Sequence, residues 1–210
     1  MSRVLVNIRG CNGSGKSTIA MQMMEEDDSY TYHGVGRKEN GDPKSPYITV
    51  FPRLKWVALG HYRAKTGGMD TIATNEDILS AFRYAWKNYP SYDILMEGVI
   101  ASTIKSTYID LFTEYQRKSK DNAIDPPRKI IVINFLPPVD VCIRRVLRRN
   151  GGKPVKEDQI QSKWATVNKN VVAFREAGIT ALKVDTSKIK KSEMLPKFLC
   201  IVDKYREVVK

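Results

Sequence analysis

The stretch "GCNGSGKS", Gly10 to Ser17, has the spacing G-x-x-x-x-G-K-[ST]. Val4 to Ile8 just before it is a short apolar run, and Ile19, Ala20, Met23 and Met24 after it recur at helical spacing. Strand, glycine loop and helix in that order make a phosphate cradle. The glycines let backbone N–H groups turn inward at a helix N-terminus that already favours anions. Gly10, Asn12, Gly13, Ser14, Gly15, Lys16, Ser17 and Thr18 are therefore the candidate nucleotide-binding residues. Lys16 is expected to reach the β- and γ-phosphates, and the Ser17 hydroxyl to ligate magnesium. A glycine turn that merely joins strand to helix is the plain alternative, which motif and context together disfavour. The expected cofactors are ATP, with GTP not distinguished, and Mg2+.

Downstream, "EEDDSYTYHGVGRKENGDPKSPY" is polar and contains Gly and Pro with no usable period, which predicts a mobile surface loop. "YITVFPRLKWVALG" holds two β-rich runs around Pro52 and Arg53, a hairpin or bent strand whose second run is Trp56 to Leu59. Thr74 and Asp77 resemble a capping box, and Ile78, Leu79, Phe82, Ala85 and Trp86 mark one face of the helix that follows, closed by Pro90. Tyr92 to Met96 and Lys129 to Phe135 read as buried strands, with Ile104, Tyr108, Leu111, Phe112 and Tyr115 lining a helix between them. Val139, Cys142, Ile143, Val146 and Leu147 form a helical stripe. Ile160, Trp164, Val167, Val171 and Phe174 form another, stopped at Gly178. The strand Thr180 to Val184 and a helix from about Ser192 to Val209 complete the chain. Apolar strands alternating with helices predict an α/β, P-loop NTPase fold: a parallel sheet covered by helices on both faces, with a lid and a small β insertion. One domain over 1–210 is expected, its lid at about 144–158 and its acceptor-side insertion at about 28–74, with no internal repeat.

Composition narrows the function classes. The chain has 210 residues, 42% of them hydrophobic, enough to bury a sizeable core. No segment has the apolar length of a membrane span, and Arg9 and Gly10 interrupt what a signal peptide would keep apolar, so a soluble, cytoplasmic protein without a membrane partner is expected. Cys11, Cys142 and Cys200 are odd in number and widely spaced, which argues against a disulfide framework or a zinc site. Lys and Arg number 35 against 23 Asp and Glu, a formal charge of +12 that suits a polyanionic partner or simply makes a basic surface.

Two further stretches bear on chemistry. In "YDILMEGVI", Glu97 and Gly98 fall at the carboxyl end of a buried strand, where ligands gather in open α/β sheets, so Glu97 is a candidate to hold magnesium. In "CIRRVLRRNGGKP", Arg144, Arg145 and Arg148 project from the apolar stripe with Arg149 toward its edge, and Gly151, Gly152 and Pro154 suit a lid. Arginine forks there would stabilise charge on a transferring phosphoryl group. The alternative is a solvated arginine face.

This arrangement resembles the nucleoside-monophosphate kinase branch of P-loop proteins: a P-loop, a strand ending in acid-glycine, an arginine-bearing helix before a lid, and a late strand followed by "VDTS". The resemblance implies that Asp185, Thr186 and Ser187 lie near the adenine. Such enzymes commonly carry an arginine soon after the acid-glycine pair to grip the acceptor's phosphate, whereas Val99, Ile100 and Ala101 stand here. A narrower resemblance rests on "LGHYRAKTGGMDTI", Leu59 to Ile72, together with "YDILMEGVIAS" and the P-loop. These are similar to the bacteriophage kinases that phosphorylate 5-hydroxymethyluracil bases within DNA, a step in thymidine hypermodification. Thr66 and Met69 replace cysteines that flank the glycine pair in that family, so no thiol or metal role carries over.

The resemblance implies DNA containing 5-hydroxymethyluracil as partner. Gly67 and Gly68 would let backbone approach a flat base or a sugar-phosphate, with Asp70 displayed beside the acceptor. Asp70 or Glu97 would take the proton of the attacking hydroxyl. His61, Tyr62 and Arg63 would contact a base flipped out of the duplex, although Tyr62 suits the core equally well. Two other readings stay open: a kinase of a free nucleoside or nucleotide, and a hydrolytic or regulatory P-loop protein.

Overall fold

The computed structural model describes residues 3–63, 67–121 and 127–206. Its centre is a seven-stranded sheet: β1 (Arg3–Arg9), β2 (Thr31–Arg37), β3 (Pro43–Phe51), β4 (Trp56–Leu59), β5 (Asp93–Glu97), β6 (Arg128–Phe135) and β7 (Thr180–Val184), in the order β2-β3-β4-β5-β1-β6-β7. From β4 to β7 every pairing is parallel, and β1 lies in the middle with Ile8 beside Glu97 of β5 and Ile133 of β6. The carboxyl ends of β1, β4 and β5 therefore open on one edge of the sheet. Such an edge is where α/β folds collect ligands.

Side chains alternate across the sheet and build two separate apolar layers. Leu5, Ile94, Met96, Ile130 and Val132 face α2 (Asn75–Asn88), α4 (Ser106–Lys120) and α6 (Glu157–Glu176) through Phe82, Trp86, Tyr108, Phe112 and Phe174. Val4, Val6, Ile8, Leu95 and Ile133 face α1 (Lys16–Glu26) and α7 (Met194–Arg206) through Ile19, Met23, Leu195 and Phe198. A smaller cluster joins Cys11 of the glycine loop to Cys142, Ile143 and Val146 of α5 (Val139–Arg149). The expected helix signals act as their chemistry dictates. Thr74 caps α2, its hydroxyl accepting from the Asp77 N–H at 3.1 Å. Gly178, at φ 73°, ends α6 while the Gly178 and Ile179 N–H groups bond Arg175 and Phe174 carbonyls.

Three expectations need correction. The polar stretch read as a mobile loop is for the most part a β-hairpin, β2 against β3, which extends the parallel sheet antiparallel to β4 as a small β insertion. Two glycines erase the alternation of β2, and Gly34 is required where a Cβ would stand 2.5 Å from the Lys44 carbonyl oxygen. Ile104 precedes α4 instead of lining it, because a separate short helix, α3 (Val99–Thr103), stands between Gly98 and Lys105. The strand expected from Tyr92 begins one residue later. The tail of the last helix toward Val209 and the position of Thr66 lie outside the described residues. No helix among the described residues is long and apolar enough to cross a membrane.

Candidate active site

The glycine loop leaves β1 at Gly10 and enters α1 through Gly15, whose φ of 99° a side chain would resist. Gly10 is tightly enclosed: a Cβ there would meet the Ser14 hydroxyl at 2.3 Å and the Phe135 carbonyl at 2.9 Å. The loop is held from both sides. The Gly10 N–H donates to the Ser102 hydroxyl on α3 at 3.1 Å, and the Thr186 hydroxyl donates to the Ser14 carbonyl at 2.8 Å. Lys16 is buried at 4% exposure, its ammonium donating to the Cys11 carbonyl at 3.2 Å. Burial holds its pKa below the usual lysine value, and the nearby Glu97 and Asp70 carboxylates oppose that shift.

Glu97, the last residue of β5, faces this loop. The Ser17 hydroxyl lies 3.2 Å and 3.3 Å from its two carboxylate oxygens. Burial raises the Glu97 pKa to about 7, against the pull of Lys16, with the Asp70 charge adding to the rise. A hydroxyl and a carboxylate so placed beside a phosphate cradle form a donor set that suits a hard divalent cation carrying its own waters.

The segment after β4 closes the third side. Asp70, in a single 3-10 turn (Met69–Thr71), accepts the Val99 N–H at 2.7 Å and the Ile100 N–H at 3.1 Å. Its carboxylate thus caps α3 across 29 residues of chain and stands directly against Gly98. The glycine pair serves the chain's own packing: a Cβ on Gly67 would strike the Tyr62 ring at 2.5 Å. One on Gly68 (φ 62°) would stand 2.4 Å from the Glu97 carbonyl oxygen and 2.5 Å from Oε1. Tyr62 is buried with its hydroxyl beside the Glu97 carboxyl, and burial pushes its pKa well up. Gly68→Ala is therefore expected to displace Glu97. A turnover loss of roughly a hundredfold should accompany a lowered unfolding midpoint, since left-handed strain alone costs about 1–3 kcal/mol. Normal turnover and an unchanged melt would contradict this placement.

Of the four arginines expected near phosphates, Arg145 reaches the loop. Its guanidinium donates to the Gly13 carbonyl at 3.4 Å, the Thr186 hydroxyl at 3.2 Å and the Thr186 carbonyl at 2.8 Å. Arg144 is paired instead with Asp140 on the exposed face of α5 at 2.5 Å, and Arg148 and Arg149 are exposed at its end. Gly151 to Pro154 follow as an exposed connection to α6. Thr186 is buried against Ser14, whereas Asp185 points outward and accepts the Ser187 N–H. His61 lies edge-on to Tyr32 and Tyr47, and Arg63 is exposed with its guanidinium over the Tyr32 ring at 4.2 Å. Sequence reasoning missed Tyr30 and Tyr32, whose hairpin looked like loop, and Ser102, whose hydroxyl bridges α3 to the P-loop. It also missed the meeting of Cys11 and Cys142, 131 residues apart, with sulfurs at 3.4 Å.

A Lys-Ser glycine loop at the end of the central strand, with Glu97 at the end of β5 and Asp70 in the turn that follows β4, defines a P-loop nucleotide-binding α/β protein. The fold agrees with the YorR protein of Bacillus subtilis, solved in complex with phosphorylated GDP, at TM-score 0.53 and 15% identity over 99% of this chain and 100% of that one. The model of the 5-hmdU DNA kinase family matches residues 3–192, and the chain belongs to that family. It is 44% identical over 188 residues to the 5-hmdU DNA kinase of Bacillus phage SP10, across 89% of this chain and 27% of that protein, so it spans about a quarter of that relative's length. It is 32% identical over 169 residues to 5-hmdU DNA kinase 1 of Salmonella phage ViI, across 78% of this chain and 67% of the relative.

Proposed function

We propose that this chain transfers the γ-phosphoryl group of ATP to the hydroxymethyl oxygen of 5-hydroxymethyluracil within DNA. The observation that carries the reading is the convergence of Ser17, Glu97, Asp70 and Tyr62 between the ends of β1, β4 and β5, in a chain of the 5-hmdU DNA kinase family. Lys16 and the loop N–H groups hold the β- and γ-phosphates. Ser17 and, through water, Glu97 would hold Mg2+, which would neutralise charge on the phosphates of ATP. Arg145, already drawn to the loop, steadies the donor side, and Arg144, Arg148 and Arg149 belong to a lid at about 144–158 that closes over it. Thr186 and Asp185 flank the nucleoside of ATP. The acceptor side is the segment 28–74.

Asp70 is the residue we assign to the acceptor hydroxyl. Each of its oxygens takes one backbone N–H and keeps a lone pair, so it can orient the attacking alcohol and receive its proton. Asp70→Asn is expected to lower transfer about a hundredfold while ATP affinity stays within a fewfold, read from steady-state kinetics and direct ATP titration. An equal loss in both would move Asp70 to the donor side.

The substrate is tested with labelled ATP and oligonucleotides of increasing length carrying one 5-hydroxymethyluracil, against the free nucleoside and its monophosphate. Contacts to backbone phosphates release counterions, so apparent affinity for DNA should fall with a log-log slope of roughly −0.9 per phosphate neutralised on duplex. Thymine DNA lacks the attacking oxygen and should be inert. Preferential phosphorylation of the monomers with a flat salt response would make the protein a small-molecule kinase, and nucleotide hydrolysis without transfer would make it a P-loop ATPase.

A further inference from the structure

An open cleft of about 730 Å³ is lined by Met24, Asp28, Tyr30, Thr31, Tyr32, Tyr62 and Arg63. Its construction is specific. Tyr30 and Tyr32 meet edge to face with ring centroids 5.7 Å apart, Tyr30 leans on Phe51 at 6.3 Å, and the exposed Arg63 guanidinium lies 4.2 Å over the Tyr32 ring. Asp28 is paired with Arg53 at 2.6 Å, so the charge of Arg63 remains uncompensated within the lining. Tyr62 is the wall shared with the active site: its ring lines the cleft and its hydroxyl faces Glu97. Arg37, Lys38 and Lys44 are exposed farther along the same hairpin.

We propose that this cleft holds the nucleotide next to the target base on the same DNA strand, an inference that rests on DNA being the acceptor. Aromatic faces with a planar guanidinium are the chemistry that grips unstacked nucleotides: rings stack on a base of any sequence, while arginine stacks and reaches a phosphate. A base extruded toward Glu97 and Asp70 drags its neighbour out of regular stacking, and the adjoining surface past Tyr62 is this cleft. An apolar ligand alone would leave Arg63 unused, and an isolated phosphate would leave the tyrosines unused. The strand β2, which looked like loop in the sequence, thereby becomes the element that recognises polymer rather than monomer.

The test measures binding of a fluorescein-labelled single-stranded oligonucleotide with one central 5-hydroxymethyluracil, by anisotropy at fixed salt, alongside ATP affinity and transfer kinetics. Tyr32→Ala and Arg63→Gln are each expected to weaken oligonucleotide binding about tenfold with ATP affinity unchanged, while Tyr32→Phe, which keeps the ring, binds as wild type. A 2-aminopurine next to the target should lose fluorescence on binding wild type and keep it with Tyr32→Ala. Arg63 is exposed, so its variant carries the test should Tyr32→Ala fail to fold. Unchanged DNA affinity in Arg63→Gln and in folded Tyr32→Ala overturns the assignment. So does a loss shared equally by the free nucleoside, which would make the cleft the target-base pocket. If wild type binds the oligonucleotide without phosphorylating it, and the variants still lose binding, the kinase reading fails and the cleft assignment stands.

Discussion

Lys16→Ala is expected to lose phosphoryl transfer by roughly a hundredfold to a thousandfold while the protein keeps its cooperative fold. A preorganised donor aimed at developing phosphate charge is worth two to three powers of ten in comparable sites, and Lys16 is the ammonium built into this cradle. Its removal should not cost stability of similar size. The ammonium is buried, its pKa is depressed by that burial, and its hydrogen bond goes to a single carbonyl, so alanine relieves a desolvation penalty as it removes contacts. Transfer assays with labelled ATP and a thermal melt of the same preparations check both halves. Near-normal turnover would remove Lys16 from the mechanism.

Glu97→Gln should lower transfer by about a hundredfold and also change how the nucleotide-free protein responds to pH. Moving a carboxyl pKa from 4.5 up to about 7 means that the folded state disfavours the ionised form by about 3 kcal/mol. The sign follows from proton binding: between these two values the folded protein holds a proton that the unfolded chain has released. The stabilisation from protonated Glu97 is complete below about pH 4.5 and is lost as pH rises through about 7. Glutamine imitates the protonated acid at every pH. The difference in unfolding free energy between Glu97→Gln and wild type should therefore grow with pH across this window and level off above it, and taking the difference cancels the other titrating groups. Wild-type kcat/KM should rise through the same region, with added magnesium moving the inflection to lower pH because the cation favours the carboxylate. A pH-independent stability difference would show that Glu97 is ionised throughout.

Much of the framework was legible because burial leaves a periodic trace. The stripe Val139, Cys142, Ile143, Val146 gave α5, and the apolar runs gave β5 and β6 within a residue or so at each end. The P-loop was legible for a different reason, since phosphate imposes its own spacing. The hairpin was not. β2 is a partly exposed edge strand with Gly34 and Gly36 inside it, and an edge strand needs no continuous apolar face. Nor could α3 be read, because its capping carboxylate is Asp70, distant in sequence. Glycines at 67 and 68 read as admitting a base or sugar-phosphate. In the structure the chain's own Tyr62 and Glu97 also stand against them, which no linear pattern encodes.

The short helix α3 also bears on how such a protein can diversify. Its Ser102 hydroxyl receives the Gly10 N–H of the glycine loop and donates to the Gly98 carbonyl, while its first two N–H groups are taken by Asp70 of the segment we propose for the acceptor. The glycine loop and that segment thus share one five-residue support. Transplanting a foreign segment between Gly60 and Thr71 is expected to succeed only if Glu97 to Ser102 travels with it, because Gly68 and Asp70 pack directly on Glu97, Gly98 and the start of α3. Libraries aimed at new acceptors should recombine the two stretches as a linked block and leave the glycine loop untouched.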